Sequence, residues 1–351
     1  MPTLTKEVLH EVTAAIFRAT GAPDDLAAQV ADVLVDNHLA GHDSHGILRI
    51  PEYVRSVRAG EIVPTARPHV IEESATSALI SGNWAFGQVT GVFAADLAIE
   101  KAKRERVAVL SVVQAGHTGR LAAFTDRAAR QGVAMFMAIG TVNKPTTAPY
   151  GGSAPVLGTN PISFSIPNPA GSPVTLDFAT SAIAAGKIKA AKAKHEPLPP
   201  GAILDSHGLP STDPQAFFEG GFLLPFGGHK GYALAVIAEL LSGPLAGADA
   251  FPGVTSRSGI FVFAVDAAVF RPQADYEKAL AKTLGRIKAV PPGPGFEEVL
   301  LPGEPEARAR AKRERDGIPI PEDTWRAVCD VGAELGVNIR RYVDLRKRRS
   351  Q

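Results

Sequence analysis

The stretch Leu39-Ala40-Gly41-His42-Asp43-Ser44-His45-Gly46-Ile47-Leu48-Arg49 gathers a hydroxyl, imidazoles and a guanidinium just past the end of an amphipathic helical pattern. A guanidinium grips a carboxylate through two parallel hydrogen bonds, and an imidazole changes charge near neutral pH. The set therefore suits a carboxylic acid undergoing proton transfer. Ser44 would donate or accept a hydrogen bond at the substrate. Arg49, four residues after His45, shares its side if the segment is helical, and would hold the carboxylate. Polar residues at a helix end also serve as caps and solvated turns, so the segment needs a chemical partner elsewhere.

A second cluster supplies one. Residues 107–113 read as a buried strand, 114–119 as a glycine-bearing turn holding His117, 120–131 as a helix and 133–139 as another apolar strand. This is a β-α-β pattern with His117 at the strand's carboxyl end, the edge at which open α/β sheets bind ligands. Gly119 and Arg120 would open the helix where its N-H groups could meet a diphosphate. Proton transfer on a carboxylic acid needs a base and a carboxylate clamp. His117 and His45 are the candidate acid/base groups, with His117 favoured, and Asp177 could orient or charge-stabilise an imidazole. A metal hydrolase built on His38, His42, Asp43 and His45 competes with this reading. It lacks the His-Glu-x-x-His pattern, and Gly41 interrupts the helix that would carry His38 and His42.

The elements that must position these groups fall into three stretches. Residues 1–74 form a helical segment, with helices expected at 6–20, at 24–39 capped by Asp24 and Asp25, and at 51–59. Residues 75–265 alternate strands with helices: helices at 88–103 and 229–241, and strands at 161–166, 174–178 and 259–265 besides those around His117. Residues 266–351 return to charged helices that would pack with the N-terminal ones. The predicted class is α/β with helical N- and C-terminal layers. No strand is followed by Gly-x-Gly-x-x-Gly opening a helix, so the common dinucleotide fingerprint is missing.

Composition narrows the partners. With 351 residues, 45% hydrophobic, and a formal net charge of +1, the chain has no domain-wide basic face for nucleic acid. The basic run 346–349 reads as a solvated tail. The apolar stretches are broken well before the roughly 20 residues that span a bilayer, and the first 20 residues lack a signal peptide's design. A lone Cys329 forms no internal disulfide and suits a reducing cytoplasm.

Taken together, the motifs resemble the type 2 malate and L-lactate dehydrogenase family, which includes ureidoglycolate, sulfolactate and hydroxycarboxylate dehydrogenases and cyclic imino acid reductases. The resemblance rests on Gly41-His42-Asp43-Ser44-His45-Gly46, Gly158-Thr159-Asn160-Pro161, Leu176-Asp177-Phe178-Ala179-Thr180-Ser181, Gly228-His229-Lys230-Gly231-Tyr232 and Leu301-Pro302-Gly303-Glu304. Gly186-Lys187-Ile188, Leu198-Pro199-Pro200-Gly201, Thr212-Asp213-Pro214 and the stretch 313–319 look closest to the hydroxycarboxylate dehydrogenase branch.

The resemblance implies a fold other than the usual dinucleotide-binding one, a nicotinamide cofactor (NAD or NADP, left open), a 2-hydroxy or 2-oxo acid substrate and a homodimer. It implies cofactor contacts at His45, at Gly119, Arg120 and Leu121, and at Thr175, Leu176, Asp177, Phe178 and Ala179. It also implies contacts at His229 and at Gly303, Glu304, Pro305 and Glu306, with Lys230 either serving the cofactor or capping a turn. Cyclic imino acid reduction, or cofactor binding without catalysis, are the alternatives it leaves. Two departures put substrate choice in doubt. Gln114-Ala115-Gly116-His117 stands where many members have Asn-Ser-Ser-His, and the segment 246–260 is short.

Overall fold

A computed structural model describes residues 2–141, 145–248 and 258–342. The basic tail at 346–349 and most of the short segment at 246–260 lie outside the described residues. The chain opens with β1 (Thr3–Leu4), α1 (Lys6–Ala19), α2 (Asp24–Leu39) and α3 (Ile50–Arg58). Thr5 caps α1 by accepting the Val8 N-H, and Val12, Ile16 and Phe17 go fully inside at helical spacing. α2 starts differently from the expected aspartate cap. Pro23 is its N-cap, and Asp24 and Asp25 sit inside the first turn, where their charge favours the helix dipole.

Next come β2 (His69–Glu73), β3 (Ser77–Ser81), α4 (Gly87–Glu105), β4 (Val107–Ala115), α5 (Ala122–Ala129), β5 (Val133–Thr141), β6 (Ile162–Ile166) and β7 (Val174–Phe178). A small unit follows: α6 (Ala185–Lys194), β8 (Ile203–Leu204), β9 (Pro210–Ser211), α7 (Pro214–Phe218) and β10 (Phe222–Leu223). The chain then runs through α8 (His229–Ser242), β11 (Ser258–Asp266), α9 (Gln273–Lys288), α10 (Glu304–Asp316), β12 (Ile318–Pro319) and α11 (Glu322–Glu334).

Seven strands make one mixed sheet in the order β2-β3-β4-β11-β5-β6-β7. Only β3 and β4 pair in parallel; every other neighbouring pair is antiparallel. The β-α-β reading of residues 107–139 is therefore corrected in one respect. β4 and β5 are not neighbours, because β11 enters between them and runs antiparallel to both. β11 is apolar on both faces: Ile260, Val262 and Ala264 are buried on one side, and the half-buried Phe261 and more exposed Phe263 lie on the other, which suits an interior strand.

α4 and α5 cover one face of the sheet, closing a core of Leu110, Val112, Phe124, Met135, Met137 and Val262. The other face takes α8 against β5 and β11. A second core joins the helical layer: Phe17, Leu34, Ile47, Ile50, Tyr53 and Phe86 pack with Ile318, Ile320 and Val328 from the far end of the chain. β1 pairs with β12, α10 lies on α2, and α11 lies on α3. α9 reaches a different neighbour, the Pro167 carbonyl, through the Tyr276 hydroxyl.

The two cores meet at the start of α4. A Cβ on Gly87 would lie 2.2 Å from the His117 carbonyl oxygen, so only glycine lets the His117 turn rest on this helix. Gly87→Ala must displace backbone rather than a flexible side chain. We expect it to cost about 1–3 kcal/mol in urea unfolding.

Candidate active site

The loop between α2 and α3 consists of two single 3-10 turns, Asp43–His45 and Ile47–Arg49. A fully buried imidazole holds it in place. His38 Nε2 accepts the Ile47 N-H at 3.0 Å, so the ring hydrogen resides on Nδ1 and is donated to Asp43 Oδ1 at 2.9 Å. Gly46 must be glycine here, since a Cβ would fall 2.2 Å from the His38 ring. His38 and Asp43 thus spend their donor and acceptor atoms on each other and on the backbone rather than on a metal. Among the described residues no group of three or more His, Cys, Asp or Glu is placed to hold a metal ion.

This loop presents Ser44, His45 and Arg49 to His117, which follows β4. The His45 and His117 rings stack with centroids 5.9 Å apart and planes 11° from parallel. Ser44 Oγ lies 3.1 Å from His45 Nδ1. Arg49 is tethered through Nε to the Ser44 carbonyl at 2.8 Å and through Nη1 to Glu52 at 2.7 Å, which leaves Nη2 for a further acceptor. Both imidazoles are held well below their ordinary pKa. Surrounding protein desolvates each ring first, and the Arg49 guanidinium adds repulsion, together with the neighbouring imidazole in the case of His45. As a residue His117 nevertheless keeps an exposed surface, so it is both neutral and reachable.

Tyr53 was not singled out in the sequence, yet it sets the His117 tautomer. The Gln88 amide nitrogen faces the carbonyls of His117 and Thr118, which identifies it as the donor end, and it also donates to the Tyr53 hydroxyl at 2.9 Å. The Tyr53 hydrogen then goes to His117 Nδ1, 2.7 Å away, and the His117 hydrogen resides on Nε2. Burial raises the Tyr53 pKa, so the phenol stays a donor. Tyr53 lies on α3 at a spacing that reads as core packing. Its polar end was the only available signal.

A cavity of about 590 Å³ is lined by His42, which precedes this loop's first turn, and by Arg120, three residues after His117. Of the residues that family likeness implies for the cofactor, Arg120, Thr175, Leu176, Asp177 and Phe178 line one wall, and Gly303, Pro305 and Glu306 line another. His45, Gly119, Leu121, Ala179, Glu304 and His229 lie outside the lining. Glu304 instead pairs with Lys288 at 2.8 Å, and His229 is exposed at the start of α8 with its ring 6.1 Å from that of Tyr150. Lys230 beside it is exposed as well.

Two expectations about this region are corrected. Asp177 does not orient an imidazole: its Oδ2 accepts the Ala122 N-H at 2.8 Å. The same bond uses a donor at the start of α5, which begins at Ala122 rather than at Arg120. Arg120 is buried and committed to Asp36 at 2.9 Å and Asn37 at 3.2 Å. Burial lifts the Asp177 carboxyl to about 6, against the Ala122 bond and the Arg120 charge.

A mixed sheet with helical layers, paired neutral imidazoles, a tethered arginine and an adjoining charged cavity define an enzyme-like cleft for a small anion. The sequence model of malate/L-lactate dehydrogenase matches residues 4–329. Hydroxycarboxylate dehydrogenase B of Escherichia coli is 35% identical, covering 94% of each chain. The solved sulfolactate dehydrogenase of Methanocaldococcus jannaschii superposes with a TM-score of 0.88 at 34% identity, over 97% of this chain and 100% of that one. The solved delta1-piperideine-2-carboxylate reductase of Pseudomonas syringae gives 0.83 at 30% identity, over 94% of this chain and 100% of that one. The chain belongs to the malate/L-lactate dehydrogenase family.

Tyr53→Phe tests the tautomer. The Tyr53 hydroxyl bonds the lone pair of neutral His117, so its loss disfavours the neutral form and raises the His117 pKa. The acidic limb of the activity profile should move to higher pH, with about 1–2 kcal/mol lost from stability for the unsatisfied Nδ1.

Proposed function

We propose that the protein transfers a hydride between a nicotinamide cofactor, NAD or NADP, and a 2-hydroxy acid/2-oxo acid pair. The observation that carries this reading is the stacked His45–His117 pair with Arg49 tethered on the same loop, together with a cavity that His42 of that loop lines along with residues 175–178, Gly303, Pro305 and Glu306. The lining chemistry fits a dinucleotide. Asp126, Asp177 and Glu306 offer acceptors for ribose hydroxyls, and Arg130 offers positive charge for phosphates, with Arg120 and Arg310, which share Asp36, leaving a net positive charge beside it.

When bound, the reduced cofactor supplies the hydride to the carbonyl carbon. The residues of the chain do the rest. Arg49 takes the substrate carboxylate with the part of its fork left free by Ser44 and Glu52. His117 offers its Nε2-H to the carbonyl oxygen, a bond that strengthens as negative charge develops there. Ser44 would hydrogen-bond the substrate, and His45, stacked on His117, would stand between substrate and cofactor. In the reverse direction the hydroxyl proton would pass to the lone pair of neutral His45, because His117 already carries hydrogen on Nε2 and accepts from Tyr53 at Nδ1; in the reduction His45 would return a proton drawn from solvent to the new hydroxyl. Arg120, Asp177, Gly303, Pro305 and Glu306 would hold the cofactor.

The same reading takes the working form as a homodimer in the cytoplasm. Leu234, Ile237, Leu240 and Leu245 leave an apolar stripe exposed on and just after α8, which a second copy would cover. The lone Cys329 suits a reducing compartment. No helix among the described residues is long and apolar enough to cross a membrane.

Absorbance loss of NADH and NADPH against pyruvate, oxaloacetate, an aromatic 2-oxo acid and a cyclic imino acid tests the reaction and ranks the substrates. Turnover of an oxo acid supports the proposal, and turnover of the imino acid alone would transfer it to the reductase branch. His117→Ala should lower kcat by about 10² to 10⁴ with cofactor affinity nearly unchanged. Arg49→Lys, which keeps charge but loses the planar fork, should lose about 10- to 100-fold in kcat/KM.

A further inference from the structure

We propose that Arg313 is a positioning residue for the catalytic loop, and that α10 thereby ties the state of the cavity to that loop. The second half rests on the reading of the cavity as the cofactor site.

Arg313 stands 270 residues along the chain from Asp43 and does not line the cavity. Both terminal nitrogens of its guanidinium nonetheless donate to the Asp43 carboxylate, and Nη1 also donates to the His38 carbonyl at 2.5 Å. Asp43 in turn receives the His38 Nδ1 hydrogen, and His38 Nε2 receives the Ile47 N-H. The chain Arg313–Asp43–His38–Ile47 spans both 3-10 turns of the loop that carries Ser44, His45 and Arg49. Burial works to raise the Asp43 pKa, but the hydrogen bonds from His38 and Arg313 outweigh it and hold the group at about 2. The carboxylate therefore stays charged throughout the working pH range.

Two further contacts of α10 with the N-terminal layer come from the same face. Glu306 meets His42 at 3.1 Å, and Arg310 meets Asp36 at 2.5 Å. Residues 306, 310 and 313 follow helical spacing, so three polar contacts, two of them arginine–carboxylate pairs, lie in one row along the helix. None of the α10 residues is buried. A helix without an apolar anchor is held down by charge pairs, which are individually weak in water and responsive to any ligand that changes the local field. One end of this row lies in the 303–306 wall of the cavity, and the other clamps the catalytic loop. Occupancy at the first end can thus be felt at the second through one rigid element.

The test compares wild type with Arg313→Met, which removes the charge but keeps bulk, and Arg313→Lys, which keeps the charge but loses the fork. Amide hydrogen exchange is followed with and without NADH or NADPH. Arg313→Met should speed exchange at Ile47 and its loop neighbours by roughly 10-fold or more, leaving α1 and the core of α2 unchanged. The cofactor that binds should slow loop exchange in wild type and not in Arg313→Met. In kinetics, kcat/KM for the oxo acid should fall roughly 10-fold or more while the cofactor Kd changes less than about threefold. Arg313→Lys should fall between, and added guanidinium should restore part of the Arg313→Met loss. Unchanged loop exchange in Arg313→Met, or faster exchange throughout the protein, would overturn the positioning role. Loop exchange indifferent to either cofactor in wild type would overturn the coupling. A wild type with no turnover would sink the proposed reaction, while the exchange data would still decide the role of Arg313.

Discussion

A buried imidazole with a defined hydrogen at each edge is the constraint on which the site depends. His38 has no contact with water, so its two nitrogens must be satisfied within the protein or each costs free energy. The backbone N-H of Ile47 satisfies one and the Asp43 carboxylate the other, which fixes the tautomer and the path of the intervening loop. Ser44, His45 and Arg49 are carried between or just beyond those two anchors. Their placement follows from packing around a residue that does no chemistry itself.

The mixed sheet supplies the second anchor. β11, interposed between β4 and β5, joins the two halves of the sheet, and β4 delivers the His117 turn onto the glycine that opens α4. At that junction the helical core and the sheet core meet, and Tyr53 spans from one to the other to reach His117 Nδ1. Desolvation and the Arg49 charge keep both rings neutral, so the guanidinium can hold an anion without an adjacent imidazolium competing for it.

Local chemistry was legible in the sequence where residues close in the chain act together. The 42–49 loop, the His117 turn and the helices of the N-terminal layer all follow from spacing, and the ordered motifs pointed to the family. What escaped the sequence depends on contacts between distant segments. The strand 258–266 gives no sign along the chain that it will enter between β4 and β5. Asp177 reads as free to serve an imidazole until β7 places it at the first turn of α5. Arg313 reads as one charge among many on a polar helix, and Tyr53 as one more apolar position on α3. In each case an ordinary residue takes its role from the partner that tertiary packing brings to it.

The central claim, direct hydride transfer in this cleft, is tested by using a reduced nicotinamide cofactor carrying deuterium at its transferable C4 position and following the product by NMR and mass spectrometry. The account predicts a 2-hydroxy acid with a single deuterium at C2 and none on any other carbon, formed with stereochemical purity. A hydroxy acid without deuterium at C2, or consumption of the labelled cofactor with no hydroxy acid formed, would contradict it.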